Sequence, residues 1–274
     1  MDASFRTPLV DCFRRGEVTR DVRLLAARGA LAPRAHEQLI LLVLLVADPD
    51  EAVAATAEAT IARIPAEALA AFLARSDVSA DLREFFGERG VAPAGAPGGD
   101  IDGPLLSDAD GAEESSPQSG QPDGAAGPEP AEPQTRQGTA QRLAALSVAE
   151  RVKVAMQGSR EERSILIRDP NRLVSAAVLS SPKLSESEVE AIARMGNVSD
   201  DVLRIVGTTR AWIKNYNVIA ALARNAKTPV AVGLHLLPRL VERDLKLLST
   251  DRNVSEPIRM AARRMCMQGE ARRK

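Results

Sequence analysis

Arg210-Ala211-Trp212-Ile213-Lys214-Asn215-Tyr216-Asn217 concentrates side chains suited to recognising another molecule. It holds the only Trp and the only Tyr of the 274-residue chain, interleaved with Arg, Lys and Asn. Trp, Tyr and Arg dominate interface hot spots, and aromatic faces among cations also stack nucleobases. Arg224 and Lys227 extend the same basic character. The candidate partner-binding residues are therefore Arg210, Trp212, Lys214, Asn215, Tyr216, Arg224 and Lys227. A plainer reading stands beside this one: Trp212 fills a gap between two helical units, and Tyr216 begins the next helix.

Catalytic constellations are harder to find. His36 and His235 are the only histidines, too far apart in sequence for a local metal pair. His235 sits in the apolar run Val232–Leu237, which points to a buried or half-buried structural ring. The acidic pairs Glu161-Glu162 and Asp200-Asp201 fall at expected helix starts, where the helix dipole explains them. No glycine-rich phosphate loop is present. Cys12 and Cys266 lie near opposite ends and make no disulfide or metal spacing. These observations favour a non-enzymatic chain with no cofactor, no metal and no evident small-molecule substrate.

Charge is unevenly spread. Residues 1–90 carry 11 basic and 14 acidic side chains, residues 91–139 one and nine, and residues 140–274 24 and 14. An acidic tether thus joins a mildly acidic segment to a basic one of net +10, enough to attract phosphate or an acidic partner. The start, MDASFRTPLVD, has acids and Pro where a secretory signal needs an apolar core. The longest apolar run, Leu39–Ala47, is half the roughly 18–20 residues of a membrane span and reads as a buried core helix. A cytoplasmic protein without membrane association is expected.

The elements that position these residues are helical throughout. Aromatics are 3% of the chain, so its core must be aliphatic, which suits helix-on-helix packing. The spacing predicts helices over Leu9–Arg15, from Thr19 to Gly29, and from Pro33 to Val46. Asp48-Pro49-Asp50-Glu51 reads as a helix start with Asp48 as the N-cap. The next helix is opened by Pro65. A further one is capped by Ser79, carries Leu82, Phe85 and Phe86 on one side, and is stopped by Gly87. Residues 91–139 contain 8 Pro and 9 Gly and no hydrophobic period, the composition of a disordered linker. Its one apolar island, Ile101–Leu106, reads as chance. Beyond Thr139, Ser147-Val148-Ala149-Glu150 is a capping box. The predicted organisation is a helical domain over 1–90, the linker over 91–139 and a basic helical domain over 140–274.

Asp169–Gly207 reads as three short capped helices, and its pattern recurs. Shifted by 120 residues, Val189 falls on Leu69, Ile192 on Phe72, Ser199 on Ser79, Val202 on Leu82 and Gly207 on Gly87. A shift of 121 places Asp169-Pro170-Asn171 on Asp48-Pro49-Asp50. Within the basic segment a shift of 44 places Val174 on Val218 and Lys183 on Lys227. A shift of 56 places Asn197-Val198-Ser199 on Asn253-Val254-Ser255. Stripe and caps match while exposed positions do not, as expected where each unit buries its stripe on its neighbours.

The pattern formed by Asp169, Pro170, Asn171, Val174, Ala177, Val178, Pro182, Ser185, Val189, Ile192 and Ala193 resembles the leucine-rich repeat variant and the broader HEAT-like helical repeats. Leu222–Pro229 looks like the same turn. The resemblance covers roughly 48–87 and 169–265. It implies an all-α fold, two small right-handed α-solenoid domains joined by the linker. Some leucine-rich repeat variant proteins carry an iron–sulfur cluster, but two distant cysteines cannot supply its ligands. Thr209–Tyr216 with Arg224–Pro229 is also similar to a set of uncharacterised bacterial proteins, which adds no activity. The expected function is a scaffold or adaptor for protein partners, with an acidic partner on the basic domain. The alternative is nucleic-acid binding by that domain, which the acidic linker would weaken by competition.

Overall fold

The computed structural model describes residues 7–32, 34–94, 105 and 133–271. Among these there are sixteen α-helices, two short 3-10 helices and no strand. The fold is all-α. The chain divides into two compact units, one built on Phe13–Lys153 and one on Thr7–Cys12 with Val154–Lys274. Most of the expected linker, including five of the six residues of the Ile101–Leu106 island, lies outside the described residues, as do Pro33, the first six residues and Arg272–Lys274.

In the first unit, α2 (Arg20–Ala27), α3 (Ala35–Val46) and α4 (Glu51–Ala62) pack on one another, and α6 (Ala80–Glu88) leans on α3; α5 is Ala66–Leu73. Leu39, Leu41, Leu42 and Leu45 of α3 are buried, as its unbroken apolar run requires. Val53, Ala57 and Ile61 of α4 and Leu69, Phe72 and Leu73 of α5 complete the core. The N-cap of α4 is Asp50, not Asp48. The Asp48 carboxylate instead accepts from the Asp50 N–H (2.9 Å) and pairs with Arg23 (2.6 Å), so a turn precedes the helix. Asp50 then accepts from the Ala52 N–H. Gly87 lies inside α6, and the helix is ended by Gly90, whose φ of +81° suits a residue without Cβ. Leu105 donates its N–H to Gln38 Oε1 (2.9 Å), and the buried Gln38 amide donates to the Gly29 carbonyl (2.8 Å). One residue of the apolar island is thus tied to α3.

The division falls within α1 (Pro8–Arg14), whose Pro8–Cys12 belong with Thr7 to the second unit, where the Leu9 N–H donates to Ser180 Oγ (3.0 Å). α7 (Pro133–Ala145) begins ahead of Thr139, with proline at its first position, and α8 is Val148–Gln157. The Ser147–Glu150 capping box forms: the Ser147 N–H donates to Glu150 (2.8 Å) and the Glu150 N–H to Ser147 Oγ (3.3 Å).

The second unit continues with α9 (Arg160–Leu166), α10 (Arg172–Ser180), α11 (Glu186–Arg194), α12 (Asp200–Thr208), α13 (Tyr216–Arg224), α14 (Val230–Leu236), α15 (Glu242–Thr250) and α16 (Glu256–Ala271). Helices two apart in sequence pack together. One row runs α10, α12, α14, α16 and another α11, α13, α15. The turn before α10 repeats that before α4: Asp169 accepts from the Asn171 N–H (2.8 Å) and Asn171 from the Leu173 N–H (2.9 Å). Asn215 does the same for α13 through the Asn217 N–H (2.9 Å). Asn171→Ala removes such a cap and is expected to cost about 1 kcal/mol. The check is urea unfolding of the full chain, read as a lower midpoint at unchanged slope.

Gly207 is the second glycine expected to be a stop. It lies within α12, where a Cβ would stand 2.3 Å from Val232 Cγ1 of α14. It is a point of close helix approach. Two further capping boxes, Ser159–Glu162 and Ser185–Glu188, open α9 and α11. No helix among the described residues is long and apolar enough to cross a membrane.

Candidate binding site

The row α11, α13, α15 presents a cleft of about 370 Å³ to solvent. Arg194 of α11, Tyr216, Asn217, Ala220, Ala221 and Arg224 of α13, Asn225 after it, and Arg243 and Asp244 of α15 line it. Helical spacing explains the α13 contribution: residues 217, 220, 221 and 224 share one face. Ala220 and Ala221 are what give the cleft depth, because longer side chains there would fill it.

Asp244 organises one wall. It is buried, yet its carboxylate receives the Tyr216 hydroxyl and the Arg224 guanidinium, the latter at 2.7 Å. The Val241 N–H donates to the Tyr216 oxygen (3.3 Å). Burial, followed by the bond to Asp244, raises the Tyr216 phenol above its ordinary pKa, so it remains a donor. Asn225 fixes the far end, donating from its amide to the Ala193 (2.9 Å) and Met195 (2.8 Å) carbonyls. Arg194 pairs with Glu190 on its own helix, and Arg243 has no ion-pair partner among the described residues.

The residues singled out from sequence divide between this cleft and its surroundings. Tyr216 and Arg224 line it. Asn215 caps α13 and donates to Glu186 (3.2 Å). Trp212 is half-buried in the 3-10 turn Trp212–Lys214, which packs on α12 and α13, while Arg210 and Lys214 are exposed. Lys227 is exposed and reaches the Val198 carbonyl (3.5 Å). Sequence reading missed the roles of Arg194, Arg243 and Asp244, whose joining depends on which helices become neighbours.

His235 is exposed, against the expectation of burial. It follows Leu234 on the outer side of α14, while Val232, Gly233 and Leu236 face the core. His36 is half-buried with its ring 5.9 Å from Phe72, and burial pushes its pKa down, with Asp77 opposing and Arg75 adding to the shift. Among the described residues no group of three or more His, Cys, Asp or Glu side chains could hold a metal ion. No family model matches the chain, and neither a curated protein nor a solved structure matches it.

Proposed function

We propose that the chain is a helical-repeat scaffold of HEAT-like, leucine-rich-repeat-variant type whose basic C-terminal unit docks an acidic protein partner. The repeat reading is supported by the two rows of alternate helices and by the recurring Asx-capped turns at Asp48-Asp50, Asp169-Asn171 and Asn215. The docking reading rests on one observation above all. Three arginines from three successive helices of one row open into a single cleft. Arg210, Trp212, Lys214, Asn215 and Lys227 would extend the contact beyond it, with Trp212 as an aromatic anchor.

The test is partner recovery on the full chain. The triple substitution Arg210→Glu/Lys214→Glu/Lys227→Glu, combined with Arg243→Glu, is expected to reduce recovery of the wild-type partner at least tenfold; unchanged recovery overturns the proposal. Nucleic acid is the second reading, favoured by Arg259, Arg263 and Arg264 on α16 within the net +10 segment. It requires affinity for labelled duplex that falls steeply with salt, and its absence at low salt removes it.

A further inference from the structure

We propose that the α11–α13–α15 cleft is a carboxylate-pair site, receiving two Asp or Glu side chains of an extended acidic segment of the partner. This rests on the docking reading above and names the chemistry of its contact.

All three cations of the cleft are arginines. A guanidinium offers a planar fork of five N–H donors that matches a carboxylate in two parallel bonds. Of the three, Arg224 is paired with Asp244 and Arg194 with Glu190, while Arg243 has no ion-pair partner among the described residues, so one incoming carboxylate meets Arg243 and a second can replace Glu190 at Arg194. Asp244 engages the Arg224 guanidinium and not those of Arg194 and Arg243. Its oxygens are occupied by Tyr216 and Arg224, and its side chain is 5% exposed while that of Arg224 is 46% exposed. It is a positioning residue, holding the partly exposed Arg224 at the wall. Arg194 is 65% exposed and its partner Glu190 is one turn away on the same helix. Such exposed pairs are weak, so an incoming carboxylate can take that place. Arg243 has no ion pair among the described residues to give up. The floor is small and apolar, Ala220 and Ala221, and the Asn225 bonds tie it to α11. Little ordering is then left for binding to accomplish.

The same features argue against a duplex. Nucleic acid presents a long line of charge and needs an extended cationic track, whereas this site is a single solvent-open cleft of about 370 Å³ with a carboxylate in its wall.

The experiment is fluorescence anisotropy of a labelled twelve-residue Glu/Gly peptide titrated with the full chain. The variants are Arg243→Ala, Arg243→Lys, Ala220→Leu and the triple Arg210→Ala/Lys214→Ala/Lys227→Ala, with circular dichroism melts on each. Arg243→Ala is expected to weaken binding about tenfold, the scale of a lost charge-assisted hydrogen bond. Arg243→Lys recovers only part of that, because an ammonium lacks the fork. Ala220→Leu fills the floor without changing charge and is expected to match Arg243→Ala; if its melt shows loss of fold, the two Arg243 variants carry the test. The triple removes cations that flank the cleft and is expected to weaken peptide binding less than Arg243→Ala does. The opposite pattern, loss in the triple and none in the cleft variants, overturns the carboxylate site while leaving a basic docking surface in place. Absence of peptide binding overturns the site, and the docking reading falls with it only if partner recovery also survives the charge reversals described above. A phosphoserine peptide or single-stranded DNA that binds tenfold tighter than the Glu/Gly peptide, and loses that advantage in Arg243→Ala, reassigns the cleft to phosphate and overturns the proposal.

Discussion

Replacing Glu188 by alanine is expected to cost about 3–5 kcal/mol of unfolding free energy, the range for removing one partner of a buried ion pair. Arg163 of α9 and Glu188 of α11 are both buried. The Arg163 Nη2 lies 2.8 Å from Glu188 Oε1 and 3.1 Å from Oε2, and Nε lies 3.2 Å from Oε1. The Ser185 N–H and hydroxyl donate to Oε2 at 2.9 and 3.0 Å. Alanine at 188 leaves the guanidinium inside the unit with only the Gly158 (2.8 Å) and Lys183 (3.2 Å) carbonyls. It also removes half of the α11 capping box. Urea unfolding of Glu188→Ala measures the loss directly. Arg163→Met/Glu188→Leu is the informative companion. It removes both charges at similar volume and is expected to recover most of the loss, because the large penalty comes from an orphaned charge. A cost under about 1 kcal/mol for the single variant would mean that the pair does not hold α9 to α11.

The same residue sets an acid limit. Burial would push the Glu188 carboxyl up, but the Ser185 N–H, Arg163 and the Ser185 hydroxyl outweigh it, and its pKa is lowered. A depressed carboxyl contributes stability that is full above its unfolded value of about 4.3 and is lost as pH falls through the folded value. Stability of the wild-type chain is therefore expected to fall more steeply below about pH 4.3 than that of Glu188→Gln. Parallel curves would assign the acid sensitivity elsewhere.

Glu188 also marks where sequence reasoning stops. Its capping role follows the same Ser-x-x-Glu spacing as Ser147–Glu150 and was readable, since a capping box involves only four consecutive residues. Its pairing with Arg163 was not, because it depends on α9 and α11 becoming neighbours. The cleft divides the same way. Tyr216 and Arg224 stand out by type and by helical spacing on α13. Asp244 and Arg243 have no local signature and matter only because α15 packs beside α13. Local rules also misplaced boundaries when two residues could serve. Asp48 and Asp50 are both good caps, and the nearer one to the helix takes the role once Arg23 and the Asp50 N–H have engaged Asp48. The helical period and the buried stripe were the robust signals, since each is set by many residues at once.

Gly87 and Gly207 occupy equivalent positions under the 120-residue shift, yet alanine is expected to act on them with opposite sign. Both are inside helices, where glycine costs roughly 0.5–1 kcal/mol relative to alanine. At Gly87 a Cβ would meet no described atom within 4 Å, so Gly87→Ala is expected to gain about that amount. At Gly207 the Cβ would stand 2.3 Å from Val232 Cγ1 and 3.5 Å from Leu222 Cδ1. Valine is branched at Cβ and held to one rotamer in a helix, so Val232 cannot swing aside and α12 must move from α14. Overpacking of this kind costs about 1–3 kcal/mol, which exceeds the propensity gain and leaves Gly207→Ala destabilised. Val232→Ala alone opens a void, but Gly207→Ala/Val232→Ala fills it from the other side. The pair is expected to show a favourable coupling of about 1 kcal/mol in a double-mutant cycle. The contrast has a structural cause. α12 is followed in its row by α14, and no described helix packs against α6 at Gly87. Equal responses at the two glycines would mean that α12 and α14 are not in close register, and the row of alternate helices on which the repeat reading leans would lose its tightest contact.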